Sequence, residues 1–219
     1  MTQRSPAEKI NVFVFHFDLV GFVDEFVAHG QEALDRLRQF QRSARNAFPT
    51  GRENTYVVTL FDNVWSRVNV DDPGQPSLLL KTAGDVMRAA MNEGFTKFFG
   101  AITRGVHDFD PVDRMLTGRA SFEDLSGQHI DVTSEPHIRA AYVDRWARNP
   151  LLPQNCVWVS SDVLDLRTLP AHAQFDDSDF KPFGEEFDIA GVPLSDGRKW
   201  PFMPSKFRAI RPDANVHEA

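Results

Sequence analysis

Apolar residues crowd positions 12–17 (Val12-Phe13-Val14-Phe15-His16-Phe17) without a polar alternation, and the run stops at Asp18. A β-branched and aromatic run that is apolar on both faces predicts a strand over Asn11–Asp18 in the middle of a sheet. The period then changes. From Val23 to Phe48, Phe26, Ala33, Leu34, Leu37, Phe40 and Ala44 recur at helical spacing, with Gly30 a weak point inside and Pro49-Thr50-Gly51 closing the segment. Thr55–Phe61 and Val64–Val70 read as two strands joined by Asp62-Asn63, residue types that accept left-handed turn conformations. Leu78–Phe99 reads as a helix, Gly100–Val106 as a strand, and Asp108–Gln128 as a polar excursion. Glu135–Ala147 reads as a helix, with Ser134 or Thr133 as its cap and Pro136 in its first turn. Asn155–Ser160 is a fifth strand. Beyond Leu166 the chain is rich in Pro, Asp and Phe, with edge strands expected near Phe183–Ile189 and Phe207–Ile210.

The order β-α-β-β-α-β predicts an α+β fold: a ferredoxin-like split βαβ core, mostly antiparallel, with its helices on one face. Residues 10–166 are expected to form this domain, and residues 167–219 an irregular extension packed on or beside it. The 42% hydrophobic content, with 19 Phe, supplies a core for one large domain. A net charge of −7 argues against general nucleic-acid binding. The lone Cys156 excludes an intrachain disulfide framework and reads as a core residue. A polar start and the lack of a long apolar run predict no membrane insertion and a cytoplasmic location.

Two carboxylates fall at special places. Asp18 ends the first strand and Asp62 sits in the hairpin. In a ferredoxin-like sheet the first strand lies beside the third, so both fall at one edge. Magnesium takes one or two carboxylates together with substrate phosphates. Gly21 lets the backbone turn, and the helix after it offers free N–H groups to a phosphate. Metal, phosphate and helix N-terminus together describe a nucleoside triphosphate site. Taken singly, Asp18 also suits a helix cap and Asp62 a turn residue. His16 reads as a core histidine, and no histidines show zinc spacing. No P-loop or nucleophile elbow occurs, which removes P-loop ATPases and serine hydrolases.

The stretches FDLVGF (17–22) and LFDNVW (60–65) resemble the two metal motifs of the class III nucleotide cyclases. ITRGVH (102–107), HIDVTSEPHIRAAY (129–142) and VWVSSDVLD (157–165) are similar to later segments of that family, in the same order. The resemblance implies cyclisation of a nucleoside triphosphate in a head-to-tail homodimer. Asp18, Asp62 and the Leu19 carbonyl would hold two Mg²⁺ or Mn²⁺ ions. Backbone amides of Val20, Gly21, Phe22 and Val23 would hold phosphate oxygens, Asp131 would take the base-recognising position, and Arg104 and Arg139 would contact phosphate or base.

The pattern also departs from the family. Its helix Asn and Arg fall on Ile138 and Tyr142, and its Lys before the second Asp falls on Val58. Neither Ile nor Tyr provides the hydrogen bonding or permanent charge of the usual pair. These departures point to a divergent branch, and FDLVGF (17–22) together with the Pro-His-Ile-Arg-Ala-Ala-Tyr helix (136–142) resembles the bacterial pyrimidine cyclases of the Pycsar antiphage systems. That likeness implies UTP or CTP as substrate, with Tyr56 narrowing the base pocket. A degenerate cyclase-homology domain that binds without turnover, and a purine cyclase, remain the alternatives.

Overall fold

The computed structural model describes residues 8–48, 56–70, 75–109, 118–121, 134–150, 152–163, 182–192, 194 and 196–210. Among the described residues, eight strands form one sheet in the order β5-β2-β3-β1-β4-β6-β8-β7. β1 (Glu8–Leu19) is central, as its two-faced apolar run requires, with β3 (Asn63–Asn69) and β4 (Phe98–Phe109) antiparallel on either side. β2 (Tyr56–Leu60) pairs with β3, and β5 (Gly118–Ser121) lies parallel to β2. β5 falls inside the stretch read as a polar excursion; its four residues, Gly-Arg-Ala-Ser, carry no apolar alternation to mark a strand.

Strand alternation divides the core in two. Phe13, Phe15 and Phe17 point to one face, where they pack with Phe40, Val86, Met87 and Phe98 under α1 (Phe22–His29), α2 (Gln31–Ala47) and α3 (Gln75–Asn92). Val12 and Val14 point to the other face and pack with Ala140, Val143 and Trp146 of α4 (Glu135–Ala147). The expectation of helices on one face is therefore corrected. α4 shows no apolar stripe by which a face could be read, because it buries His137 and Arg139 along with its apolar residues.

Two helix boundaries also differ from the pattern. The single helix expected over Val23–Phe48 breaks at Gly30, whose φ of 54° with ψ of −121° lies outside the regions open to residues with a side chain; its N–H closes α1 on the Phe26 carbonyl. α3 stops at Asn92 rather than Phe99. Gly94 (φ 81°) caps it, with N–H groups of Gly94 and Phe95 returning to Met91 and Ala90, and the following Phe residues go to the sheet. At the other edge, β6 (Cys156–Ser160) runs parallel to β4 and antiparallel to β8 (Lys206–Ile210), which in turn pairs with β7 (Pro182–Asp188). β8 is an interior strand, not an edge. Cys156 is buried, as its apolar neighbours predict. No described helix is long and apolar enough to cross a membrane.

Candidate active site

The register places Asp18 opposite Asn63 on one side and Phe99 on the other, one residue before β1 ends. The β2–β3 connection is Phe61-Asp62, with Asn63 already paired to Leu60, so the turn lies one residue earlier than the pattern suggested. Phe61 takes the left-handed conformation at φ 57°, an unusual choice for an aromatic residue. Two bonds hold this turn against the rest of the chain. The Leu19 N–H donates to the Asp62 carbonyl at 3.1 Å, and the Gln41 amide donates to the Phe61 carbonyl at 2.6 Å. The end of β1 and the hairpin tip are thus tied backbone to backbone, and Asp18 and Asp62 come to the same edge.

Asn63 links the two carboxylates to the interior. Its amide nitrogen donates to Asp62 Oδ1 at 3.0 Å, and its oxygen accepts from His16 Nε2 at 2.7 Å. His16 stacks on Trp65 with ring centroids 4.1 Å apart. Burial holds the imidazole below its ordinary pKa, against the opposing pull of Asn63 and Asp144. It is the satisfied core histidine that the pattern predicts.

A third carboxylate and a cation complete the group, and sequence reasoning missed both. Arg148, at the C-terminal end of α4, places Nη2 3.1 Å from Asp18 Oδ2 and 2.9 Å from Asp144 Oδ2. The Asp18 carboxyl is pushed up to about 7, first by burial and then by the charges of Asp144 and Asp62, with Arg148 and Asn63 pulling the other way. Burial raises Asp62 as well. Arg148 is raised: burial would lower it, but Asp144 and then Asp18 and Asp62 outweigh that. Both carboxyls are raised first by burial, and a cation bound between them would favour their charged forms.

Among the described residues, no three His, Cys, Asp or Glu side chains stand ready to hold an ion by themselves. The hard oxygens of Asp18, Asp62 and the Leu19 carbonyl suit Mg²⁺ or Mn²⁺ whose remaining ligands come from phosphates and water. Beside them, Gly21 (φ 81°) opens α1 with no side chain capping the helix. The amides of its first turn, at Phe22 and Val23, therefore have no side-chain acceptor from the cap, whereas the Val20 N–H is bonded to the Lys97 carbonyl at 2.9 Å.

The remaining site residues of the sequence reading are dispersed. Arg104 pairs with Phe13, five positions back from Asp18 and on the opposite face of the sheet, a strand distance of about 17 Å. Arg139 is 2% exposed. It donates to the carbonyls of Met203 and Arg104 and to Asp162 at 3.3 Å, tying α4 to β4 and the C-terminal segment. Its guanidinium is thus built into the packing, and the protomer brings neither arginine to Asp18. Tyr142 packs against Trp146 and Phe202, with the Arg145 guanidinium over its ring at 5.1 Å. Ile138 is exposed, and Val58 is buried in β2. Tyr56 opens β2, opposite Arg67. Asp131 lies outside the described residues.

No protein-family model matches the chain, and no curated protein sequence matches it. Solved structures do. The non-canonical dimeric guanylyl cyclase domain of the RhoGC fusion protein from the aquatic fungus Blastocladiella emersonii superposes with a TM-score of 0.54 at 12% identity, over 95% of this chain and 98% of that one. The guanylyl cyclase Cya2 gives 0.52 at 9% identity, over 97% and 98%. The adenylyl cyclase CyaB from P. aeruginosa gives 0.50 at 10% identity, over 96% and 98%. The chain has the class III cyclase fold. The match runs over nearly all of both chains, so this fold takes in the C-terminal strands as well as the split βαβ core.

Proposed function

We propose that the protein is a nucleotide cyclase, converting a nucleoside triphosphate to a 3′,5′-cyclic monophosphate and pyrophosphate. The observation that carries this reading is the meeting of Asp18 and Asp62 at one sheet edge beside the uncapped start of α1. Two Mg²⁺ or Mn²⁺ ions would lower the pKa of the ribose 3′-hydroxyl and neutralise the triphosphate. The chain's own part is positional. Asp18, Asp62 and the Leu19 carbonyl would hold the ions, and the first-turn amides of α1 would take phosphate oxygens. Asn63 keeps the Asp62 carboxylate oriented through its 3.0 Å bond.

The substrate in this reading is UTP or CTP, with Tyr56 and Tyr142 in place of purine-selecting chemistry, and the product is a signal in bacterial antiphage defence. The support is the sequence resemblance together with Val58, which stands where the purine-selecting pair would have its Lys and offers the base no hydrogen bond. The protein would act as a homodimer, as the family resemblance implies, with Arg104 and Arg139 both held away from Asp18 within one protomer.

The test is incubation of purified protein with each of the four ribonucleoside triphosphates and Mn²⁺. A pyrimidine cyclic monophosphate is expected, and its formation should fall at least a hundredfold in Asp62→Ala. Product from ATP or GTP in preference would move the assignment to a purine cyclase. The burial of Arg139 in a structural role favours one competing reading, a domain that binds nucleotide without turnover. Triphosphate binding with no product from any of the four would select it.

A further inference from the structure

Class III-type chemistry needs a permanent positive charge near the transferring phosphate, and the arginine position that the family resemblance assigns to it is Tyr142 here. Tyr142 is packed into an aromatic group with Trp146 and Phe202. By the 100° rotation per residue of an α-helix, it lies roughly 160° round α4 from Asp144 and about 120° from Arg148. Arg104 and Arg139 are held elsewhere in the protomer. One guanidinium does stand at the carboxylates, and it belongs to the same chain.

Arg148 sits at the C-cap of α4, where the helix dipole favours a cation. Asp144, one turn earlier, grips it at two points, 3.3 Å to Nε and 2.9 Å to Nη2. That grip is local to the helix and does not depend on the sheet. The contact to Asp18 is of a different kind. It spans 130 positions of sequence, uses only Nη2, and ends on a carboxylate that is 12% exposed, whereas the Arg148 side chain is 51% exposed. The guanidinium is anchored at its base and open to solvent at its outer edge, and it fills a place on Asp18 that a divalent ion would claim.

We propose that Arg148 is the phosphate-binding arginine of this site, supplied in cis, held by Asp144 and resting on Asp18 only while no divalent cation is bound. With a divalent cation held on Asp18, the guanidinium would be displaced from that oxygen. The triphosphate oxygens then replace Asp18 as its outer partner, while Asp144 keeps the arm in place. The inference rests on the nucleotide reading above for its ligand, but its metal arm stands independently.

Two titrations test it, with Arg148→Ala and Arg148→Lys compared to the unaltered chain. The first is Mn²⁺ alone, followed by tryptophan fluorescence or calorimetry. Removing a competing guanidinium predicts severalfold tighter Mn²⁺ binding in Arg148→Ala. The second is 3′-deoxy-UTP with saturating Mn²⁺, a ligand that lacks the attacking hydroxyl and cannot be cyclised. Loss of a charge-assisted hydrogen bond predicts affinity weaker by about ten- to a hundredfold in Arg148→Ala, partly restored in Arg148→Lys. A residue that only braces the site would weaken both ligands together. The proposal is overturned if Mn²⁺ binds less tightly to Arg148→Ala, or if 3′-deoxy-UTP binds both variants as well as the unaltered chain. If the unaltered chain binds Mn²⁺ but neither 3′-deoxy-UTP nor 3′-deoxy-CTP, the pyrimidine reading fails instead, and 3′-deoxy-ATP becomes the probe. Since the side chain is half exposed, both variants are expected to fold, and their thermal unfolding in EDTA checks this.

Discussion

Replacing Asp18 with Asn should make the metal-free protein more stable at alkaline pH, the reverse of what removing a salt-bridged aspartate normally does. The Asp18 carboxyl lies at about 7 in the folded chain against an ordinary 3.8. The folded state therefore holds this proton more tightly than the unfolded state does. Between about pH 4 and pH 7 it binds more protons than the unfolded chain, so unfolding free energy declines as pH rises through that window and levels off above it. Roughly three pH units at 1.36 kcal/mol each set a ceiling of about 4 kcal/mol. The group is not sealed from water, and solvent screening brings the expectation to about 2 kcal/mol. The assay is urea denaturation in EDTA at intervals from pH 5 to pH 8.5. The unaltered chain should lose about 1.3 kcal/mol across this range, which covers two of the three pH units, whereas Asp18→Asn should lose much less, keeping only the slope that the raised Asp62 contributes with the same sign. At pH 8 the variant should be the more stable of the two in EDTA, and Mn²⁺ should stabilise the unaltered chain more than the variant. Asn retains an oxygen for the Asn63 amide, and Arg148 retains Asp144, so no new unpaired group confuses the comparison. If Asp18→Asn is less stable at pH 8 in EDTA, the carboxylate is not strained by its neighbours, and the case for a cation-seeking cluster fails.

Other outcomes follow from the same structure. Arg139→Met should destabilise by about 3 kcal/mol, because the Arg104 and Met203 carbonyls and Asp162 lose a buried partner; a melting temperature within 2 °C of the unaltered chain would contradict this. Phe61→Gly should raise stability by about 0.5–1 kcal/mol in thermal unfolding, since the ring is 74% exposed and φ is 57°, and a loss would mean that the ring makes contacts the turn needs. Trp146→Ala removes a fully buried ring and the indole donor to the Val192 carbonyl at 2.7 Å. About 3–5 kcal/mol should be lost in chemical denaturation, and a loss under 1 kcal/mol would refute the placing of α4 on the sheet.

Much of this molecule can be read along the chain where the cause is local. The two-faced apolar run of β1 places it centrally, and Asp18 and Asp62 follow from where a strand ends and a hairpin turns. Gly30 and Gly94 show why boundaries were harder to read: a glycine inside a periodic pattern is either tolerated or a stop, and only the backbone conformation decides which. The turn slipped by one residue because Phe61, not Asn63, adopts the left-handed conformation, against residue preference. Arg148 was illegible for a different reason. Its pairing with Asp144 is an ordinary helix surface pair at i and i+4, and nothing in the sequence says that this end of α4 lands on the end of β1. The same holds for Arg139, whose partners come from three separate segments.

The bond from the Leu19 N–H to the Asp62 carbonyl has a bearing on how such a protein changes over generations. Both atoms are main chain, so the spacing between the strand end and the hairpin tip is indifferent to which side chains stand at 18 and 62. A lineage can lose either carboxylate, and with it any cation chemistry, while the scaffold around the gap stays as it was. Silent copies built on this frame would therefore be hard to tell from active ones by shape, and the two carboxylates themselves are where the difference would be written.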